Sequence, residues 1–113
     1  MAIGGAQQTP RDNLSLELRR GALVLAVLVE LRHEEYGYSL KKLLSDKGLE
    51  IDEGTLYPLL RRLESQGQLT SAWRVEDGRP RRYYKASAEG EKLARELAAE
   101  WRNLAGVIGR LIG

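Results

Sequence analysis

The arginine, threonine and tyrosine residues of this sequence are the ones whose types and spacing could form a binding site, through their guanidinium and hydroxyl groups. Two short runs of arginine stand out: Arg61 with Arg62, and Arg79 with Arg81 and Arg82. Thr55 and Tyr57 lie just before the first run. Guanidinium groups bind phosphate oxygens and guanine edges, and hydroxyl groups donate hydrogen bonds to the same acceptors. These residues therefore predict contacts to a sugar-phosphate backbone and to base edges.

The positive charge of the chain is concentrated in one stretch. The 113 residues carry a net charge of only +2, from 18 Lys and Arg against 16 Asp and Glu. Residues 61–85 hold seven of these basic residues and three of the acidic ones, so the remainder of the chain is slightly acidic. A local basic surface is the electrostatic footprint expected for binding a phosphate backbone.

Composition argues against several other kinds of site. The chain has no cysteine and one histidine, His33, which excludes disulfides, thiolate metal sites and a histidine cluster. The sequence also has no Gly-rich phosphate loop or nucleophile elbow, so we expect no enzyme, no catalytic residue, no metal and no cofactor. The longest apolar run, residues 22–29, is too short to span a bilayer, and the first ten residues do not resemble a secretory signal. A cytoplasmic location without a membrane partner is expected.

Hydrophobic periodicity predicts the elements that position the basic residues. It indicates helices at 11–32, 39–47 and 53–66, strands at 69–75 and 82–86, and a last helix after Ser87. Asp52 and Ser87 are good N-cap residues, and Gly48 and Gly67 follow helices where terminating glycines belong. Residues 76–80, which include Gly78 and Pro80, are predicted to form the turn of the hairpin.

Helices in this order, followed by a basic hairpin, predict a winged helix-turn-helix, a mainly α fold of the α+β class with a small antiparallel hairpin. The third helix is expected in the major groove of DNA and the hairpin tip on the backbone or in the minor groove. The candidate DNA contacts are Tyr38, Lys41, Lys42, Gly54, Thr55, Tyr57, Pro58, Arg61, Arg62, Arg79, Arg81 and Arg82. Some alternatives stay open, since Tyr57 could equally pack on a neighbouring helix and the arginine run could simply be solvated.

Three aromatic residues of the hairpin are expected to pack rather than to bind. Trp73 is predicted to pack on the sheet. Because Tyr83 and Tyr84 are consecutive on a strand, they point to opposite faces, so one of them belongs to the core.

The last helix carries an apolar stripe that one small domain cannot cover. From Leu97 the stripe continues at spacings of four and three residues, as in a coiled coil. The second half of the first helix is apolar on nearly every face, which also favours a partner. The expected interface between two copies of the chain contains Leu18, Leu25, Leu97, Trp101, Leu104, Ile108 and Leu111. Trp101 and Leu97 could line a pocket for a flat aromatic effector at the two-fold axis.

Three segments together resemble the PadR family of bacterial transcriptional regulators. They are residues 36–38 (Tyr-Gly-Tyr), 53–64 (Glu-Gly-Thr-Leu-Tyr-Pro-Leu-Leu-Arg-Arg-Leu-Glu) and 78–84 (Gly-Arg-Pro-Arg-Arg-Tyr-Tyr). The resemblance covers about residues 18–101. It implies a homodimeric winged-helix repressor that binds an inverted-repeat operator of double-stranded DNA and dimerises through its last helix, with help from the first. The single last helix is similar to that of the short members of the family.

The expected organisation is therefore a flexible arm at residues 1–10, a DNA-binding domain at residues 11–87 and a dimerisation helix at residues 88–113. A small aromatic or lipophilic effector is expected to release the repressor from DNA. The alternative is a winged helix that binds other proteins and no specific DNA. That alternative expects an acidic or apolar outer face on the third helix, whereas this face carries Arg61 and Arg62.

Overall fold

The computed structural model describes residues 8–113. Its elements are, in chain order, α1 Pro10–Glu30, β1 Glu35–Tyr36, α2 Gly37–Asp46, α3 Glu53–Ser65, β2 Leu69–Glu76, β3 Arg79–Ala86 and α4 Ala88–Ile112. Within the described residues these are four helices and one three-stranded antiparallel sheet, so the predicted α+β class is confirmed.

The first helix begins at Pro10, one residue earlier than predicted. Thr9 accepts a hydrogen bond on its hydroxyl from the backbone N–H of Asp12, and the Asp12 carboxylate accepts one from the N–H of Thr9. This reciprocal capping box, together with a proline at the first helical position, starts the helix there. The predicted arm therefore loses Thr9 and Pro10 to the helix, and residues 1–7 lie outside the described part of the chain.

The second helix also begins earlier than predicted, at Gly37 instead of Ser39. The Ser39 hydroxyl donates to the Glu35 carboxylate at 2.7 Å and accepts from the N–H of Tyr36 at 3.1 Å. Glu35 and Tyr36 form the short strand β1, between the first two predicted helices, where no strand was predicted. The strand exists because it pairs with Tyr83 and Tyr84 of β3, some 47 to 49 residues away, and no local pattern encodes that pairing.

The sheet has the order β1-β3-β2, and β2 and β3 form the hairpin called the wing below. The predicted five-residue turn is wrong, because the strands continue to Glu76 and Arg79 around a two-residue turn of Asp77 and Gly78. Both turn residues have positive φ, 53° and 74°, which is the geometry that tight hairpins prefer. Pro80 is accommodated within β3 because β1 does not extend along that part of the strand.

The core lies between α1, α2, α3 and the root of the sheet. Its largest fully buried side chains are Val27, Leu28, Leu31, Leu40, Leu56 and Leu60. Each fully buried leucine stabilises the fold by about 2 kcal/mol through the hydrophobic effect. Tyr84 is buried and Tyr83 half-buried, as their alternation predicted. Trp73 is not a packed residue as expected, since 66% of it is exposed where the wing extends beyond the core.

The last helix, α4, begins after Ser87, whose hydroxyl accepts from the N–H of Gly90 at 3.0 Å. Its first turns pack on the core through Gly90 and Ala94, and the rest of the helix is largely exposed. Over residues 8–113, we find no helix with both the length and the apolar character needed to cross a membrane.

Candidate nucleic-acid interface

The helix α3 is held by its inner face, which leaves the opposite face open. Leu56, Leu60 and Leu63 are buried in the core, as the spacing of these leucines predicted. The five predicted contacts on the opposite side of α3 are all exposed: Gly54, Thr55, Pro58, Arg61 and Arg62. Pro58 lies near the start of the helix, where the loss of one backbone hydrogen bond is cheapest.

Asp52 fixes the N-terminal turn of α3, next to Thr55. Its carboxylate accepts a hydrogen bond from the N–H of Thr55 at 2.8 Å. This hydrogen bond from Thr55 lowers the pKa of Asp52 below its ordinary value of 3.8, with a smaller contribution from the charge of Lys41. The cap therefore holds a negative charge at the start of α3, where the helix dipole favours it.

Tyr57 packs against the start of α2. Its ring lies so close to Gly37 that a Cβ on that glycine would be 2.3 Å from Cε1 of the ring. Its hydroxyl lies 3.5 Å from the Glu53 carboxylate. Burial, followed by the charge of Glu53, raises the pKa of Tyr57. The ring of Tyr57 therefore packs on a neighbouring helix, as one of the two alternatives for this residue expected. Tyr57 also lines the groove described next.

This groove lies between α3, the start of α2 and the wing, and has a volume of about 390 Å³. Aromatic and guanidinium groups dominate its lining, which includes Tyr36, Tyr38, Tyr57, Trp73, Arg61, Arg81 and Arg82. Five of the predicted DNA contacts therefore meet in one place, although they come from three separate elements. Sequence reasoning did not find Tyr36 or Trp73, because their place here depends on the pairing of β1 and on the length of the wing.

The wing arginines differ in what they contact. Arg79, beside the turn, is exposed, and within the described residues no carboxylate forms an ion pair with it. Arg81 lies 4.6 Å from the centre of the Tyr36 ring and 3.4 Å from the Glu76 carboxylate. Arg82 forms an ion pair with Glu64 of α3 at 2.6 Å.

Arg74, which contributes to the basic stretch, forms an ion pair with Glu34 and lies 4.3 Å from the centre of the Tyr83 ring. The Tyr83 hydroxyl donates to Glu76, and this hydrogen bond lowers the pKa of Glu76 and raises that of Tyr83. Much of the positive charge counted in the sequence is therefore paired inside the wing. Arg61, Arg62, Arg79 and Lys85 are the exposed cations of this stretch that form no ion pair among the described residues.

The remaining candidates lie on the two sides of this groove. Lys42 is exposed and lies 3.8 Å from Asp46 on the next turn of α2, and Lys41 and Tyr38 neighbour it. On the other side of α3, a depression of about 290 Å³ separates Gly54, Thr55, Pro58 and Arg62 from α1. Arg20 of α1 lines this depression too, and no local pattern predicts its nearness to α3.

A second exposed surface lies away from the wing, on α1 and α4. Trp101, Leu104, Ile108 and Leu111 of the predicted stripe are between 44% and 77% exposed. Leu18 is 82% exposed, whereas Leu25 is half-buried and Leu97 packs partly on the core. The prediction missed Leu14, Leu16 and Ile112, which are also exposed and extend the same kind of surface.

Comparison with known proteins decides the family of this fold. The model of the transcriptional regulator PadR-like family matches residues 24–96. The chain belongs to the PadR-like family. The protein is thus a winged-helix transcriptional regulator, a function that implies DNA binding.

Relatives in this family match this chain over most of their own length. A Mycobacterium tuberculosis protein named transcriptional regulator Rv3488 is 39% identical over 102 residues, which are 80% of this chain and 95% of the relative. The crystal structure of a PadR family transcriptional regulator from Eggerthella lenta is 49% identical, with a TM-score of 0.81 over 88% of this chain and 89% of that one. A PadR-like transcription factor from Bacteroides fragilis is 33% identical, with a TM-score of 0.74 over 88% and 99% of the two chains.

These relatives are named as regulators and not as enzymes. Residues 8–113 also contain no cluster of three or more His, Cys, Asp or Glu side chains suited to holding a metal ion. The described part of this PadR-like chain thus offers a binding surface built from arginine, tyrosine and the outer face of α3.

Proposed function

We propose that this protein is a homodimeric, sequence-specific repressor that binds an inverted-repeat operator and is released by a small effector. The groove between α3 and the wing supports the DNA-binding step most strongly, because it joins exposed base-reading candidates to guanidinium and hydroxyl groups. Binding to chromosomal DNA would place the protein in the cytoplasm.

In the proposed complex, α3 enters the major groove and the wing follows the neighbouring minor groove. The sugar-phosphate strand that separates the two grooves of DNA then crosses the space between α3 and the wing. The Tyr57 hydroxyl and Arg81 line that space and suit phosphate oxygens, and Arg61 lines it from α3, where it can reach a guanine edge. Thr55 and Arg62 extend the base-facing side of α3 toward α1, and Lys41 and Lys42 offer further phosphate contacts from α2.

The exposed apolar residues of α1 and α4 support a dimer. So many exposed leucines and isoleucines together with a tryptophan are costly to leave in water, and a second copy of the chain would cover them with the same residues. Two-fold symmetry then places two α3 helices on one side, where they match the two halves of an inverted repeat.

Trp101 and Leu97 are proposed to bind the effector at this interface. Trp101 is 49% exposed, so its indole ring has a face open to a flat ligand. A ligand that prefers a dimer geometry with misplaced α3 helices lowers DNA affinity by linkage. Tryptophan fluorescence against planar aromatic compounds tests this site, and binding that survives Trp101→Ala would contradict it.

A winged helix that binds proteins instead of DNA is the alternative function. It would favour an acidic or apolar outer face on α3, and this face carries Arg61 and Arg62, which are exposed. The repressor proposal is therefore preferred.

Two arginine variants test the proposed contacts. We expect Arg79→Ala to weaken binding to all DNA sequences alike and to lower the slope of log affinity against log salt by about 1.8, because the dimer loses two phosphate contacts, one from each protomer. Arg61→Ala should weaken operator binding about tenfold or more and relax base preference at one position. Arg95→Ala, which removes an exposed charge from α4, is the control. Operator affinity that is unaltered in both test variants would overturn the contact assignment.

A further inference from the structure

Arg82 is the wing arginine whose side chain is directed back to α3. Its Nη2 donates to Oε1 of Glu64 at 2.6 Å, and its Nε donates to the Ser71 hydroxyl at 3.0 Å. The Ser71 hydroxyl in turn donates to Oε2 of Glu64 at 2.6 Å. The three side chains form a closed ring of hydrogen bonds, in which both carboxylate oxygens and one edge of the guanidinium group are used.

This ring joins three elements of the interface, because Glu64 belongs to α3, Ser71 to β2 and Arg82 to β3. The side chains of Arg82 and Glu64 are only 35% and 26% exposed. The guanidinium group also lies 5.8 Å from the Trp73 ring centre and 5.4 Å from that of Tyr84. The ring of hydrogen bonds therefore ties the wing to α3 beside the floor of the groove.

We propose that Arg82 is a positioning residue that sets the angle between the wing and α3, and that it does not bind DNA phosphate. The edge formed by Nε and Nη2, which would grip a phosphate with two parallel hydrogen bonds, is occupied by Ser71 and Glu64. The Glu64 carboxylate beside it would also repel a phosphate. This inference replaces the DNA contact expected for Arg82 from the sequence, and it rests on the proposed function.

A fixed angle matters because α3 and the wing must meet neighbouring grooves at the same time. If the wing moves freely relative to α3, simultaneous contact of both elements adds less to the affinity for a matched operator. The affinity for non-specific DNA depends mainly on total charge, so it changes little. Loss of the ring should therefore lower the ratio of operator affinity to non-specific affinity.

Glu64→Ala, which removes both carboxylate oxygens from the ring, is the deciding variant, because the two roles of Arg82 predict different results. For a positioning residue, the ratio of operator to non-specific affinity falls about tenfold, a loss comparable to that of one specific contact. For a phosphate ligand, removal of the competing carboxylate raises both affinities equally and leaves the ratio unchanged. Asp46→Asn is the matched control, since it removes a carboxylate from the ion pair with Lys42 inside one helix. It should raise both affinities without changing the ratio.

The double variant Glu64→Arg with Arg82→Glu adds a rescue. It reverses the pair and conserves net charge, so positioning predicts that the ratio returns to within about threefold of wild type. If the double variant does not fold, the Glu64→Ala result still decides. A Glu64→Ala ratio equal to that of wild type, or a folded double variant without rescue, would overturn the inference alone. A wild-type protein that prefers no DNA sequence would overturn the proposed function as well.

Discussion

At the scale of residues, the partners of each arginine separate side chains that look alike in the sequence. Arg79 is exposed at the wing turn, whereas Arg81 lies against the Tyr36 ring and Arg82 is bound to Glu64. A guanidinium group that already faces a carboxylate has fewer of its five N–H donors left for a phosphate, and the carboxylate repels the phosphate. Arg79 is therefore the wing residue that we expect to contribute most to phosphate binding.

Asp52 gives a residue-scale prediction about pH. Its hydrogen bond from Thr55 lowers its pKa in the folded state below 3.8, so its stabilising effect is complete above pH 3.8 and is lost as pH falls through the lowered value. Asp52→Ala should cost about 1 kcal/mol of unfolding free energy at pH 7, as an N-cap does. Denaturant unfolding at several pH values should show this cost shrinking below pH 3.8.

Ser87→Ala is the matched control, because Ser87 caps α4 through an uncharged hydroxyl. Its cost should not follow the same pH dependence. A cost of Asp52→Ala that stays constant from pH 7 down to the acid-unfolding limit would contradict the assigned cap.

Local signals made the caps predictable from sequence. Asp52, Ser87, Gly48 and Gly67 were all placed correctly, because capping depends on a few neighbouring residues. The sequence does not indicate which arginines form ion pairs. Glu64 and Arg82, for example, are 18 residues apart and come together only in the fold.

At the scale of elements, α4 packs closely on the segment between α3 and β2. A Cβ on Gly90 would lie 2.0 Å from the backbone oxygen of Gln68, which cannot move without disturbing the neighbouring chain. The backbone N–H of Ser87, the N-cap residue of α4, donates a hydrogen bond to the same Gln68 carbonyl at 2.9 Å. This contact fixes where α4 leaves the winged-helix unit, so it also fixes the direction of the proposed dimer helix.

We therefore expect Gly90→Ala to destabilise the protein by about 2 kcal/mol, the cost of overpacking, although alanine favours a helix. Gly106→Ala, in the same helix, is the control. Its Cβ would meet only the Arg110 side chain at 3.6 Å, so it should raise stability by about 0.5 kcal/mol. Thermal unfolding distinguishes the two, and a Gly90→Ala protein as stable as Gly106→Ala would show that the junction is not tight.

The wing was only partly predictable from the sequence. Its two strands were predicted from their aromatic and β-branched residues, and alternation predicted that one of Tyr83 and Tyr84 is buried without saying which. The turn was placed too broadly, because Gly78 and Pro80 both favour turns. Strand β1 was missed because two residues carry no period, and only its non-local pairing with β3 defines it. The groove, which needs both features, could not be predicted as a site.

At the scale of the whole molecule, the chain presents two different surfaces, an arginine-rich groove and a set of exposed apolar residues on helices. The helices α1 and α4 contribute the apolar part, and α2, α3 and the wing contribute the other. The near-zero net charge of the sequence conceals this division. Symmetric dimerisation would double the DNA surface without adding a new kind of contact.

Leu104→Glu tests the apolar part. Leu104 is 54% exposed, so the change should leave the fold of one protomer intact but place two unpaired carboxylates in the proposed interface. We expect the dimer dissociation constant to rise about 100-fold or more, as for an interface hot spot, with operator binding weakened in parallel. Analytical ultracentrifugation measures it, with Asn103→Glu on a neighbouring face of α4 as control. A Leu104→Glu protein that dimerises like the control would contradict the proposed interface.

Selection of bound fragments from the source genome, followed by affinity measurement at several salt concentrations, tests the proposed repressor most directly. We predict enrichment of one sequence with two inverted half-sites, whose centres lie about 10 base pairs, one helical turn, or a multiple of it apart. Its affinity should fall steeply with salt, because the arginines displace counterions from phosphates. Recovery of fragments with no shared sequence, bound no more tightly than random DNA, would contradict the proposed function.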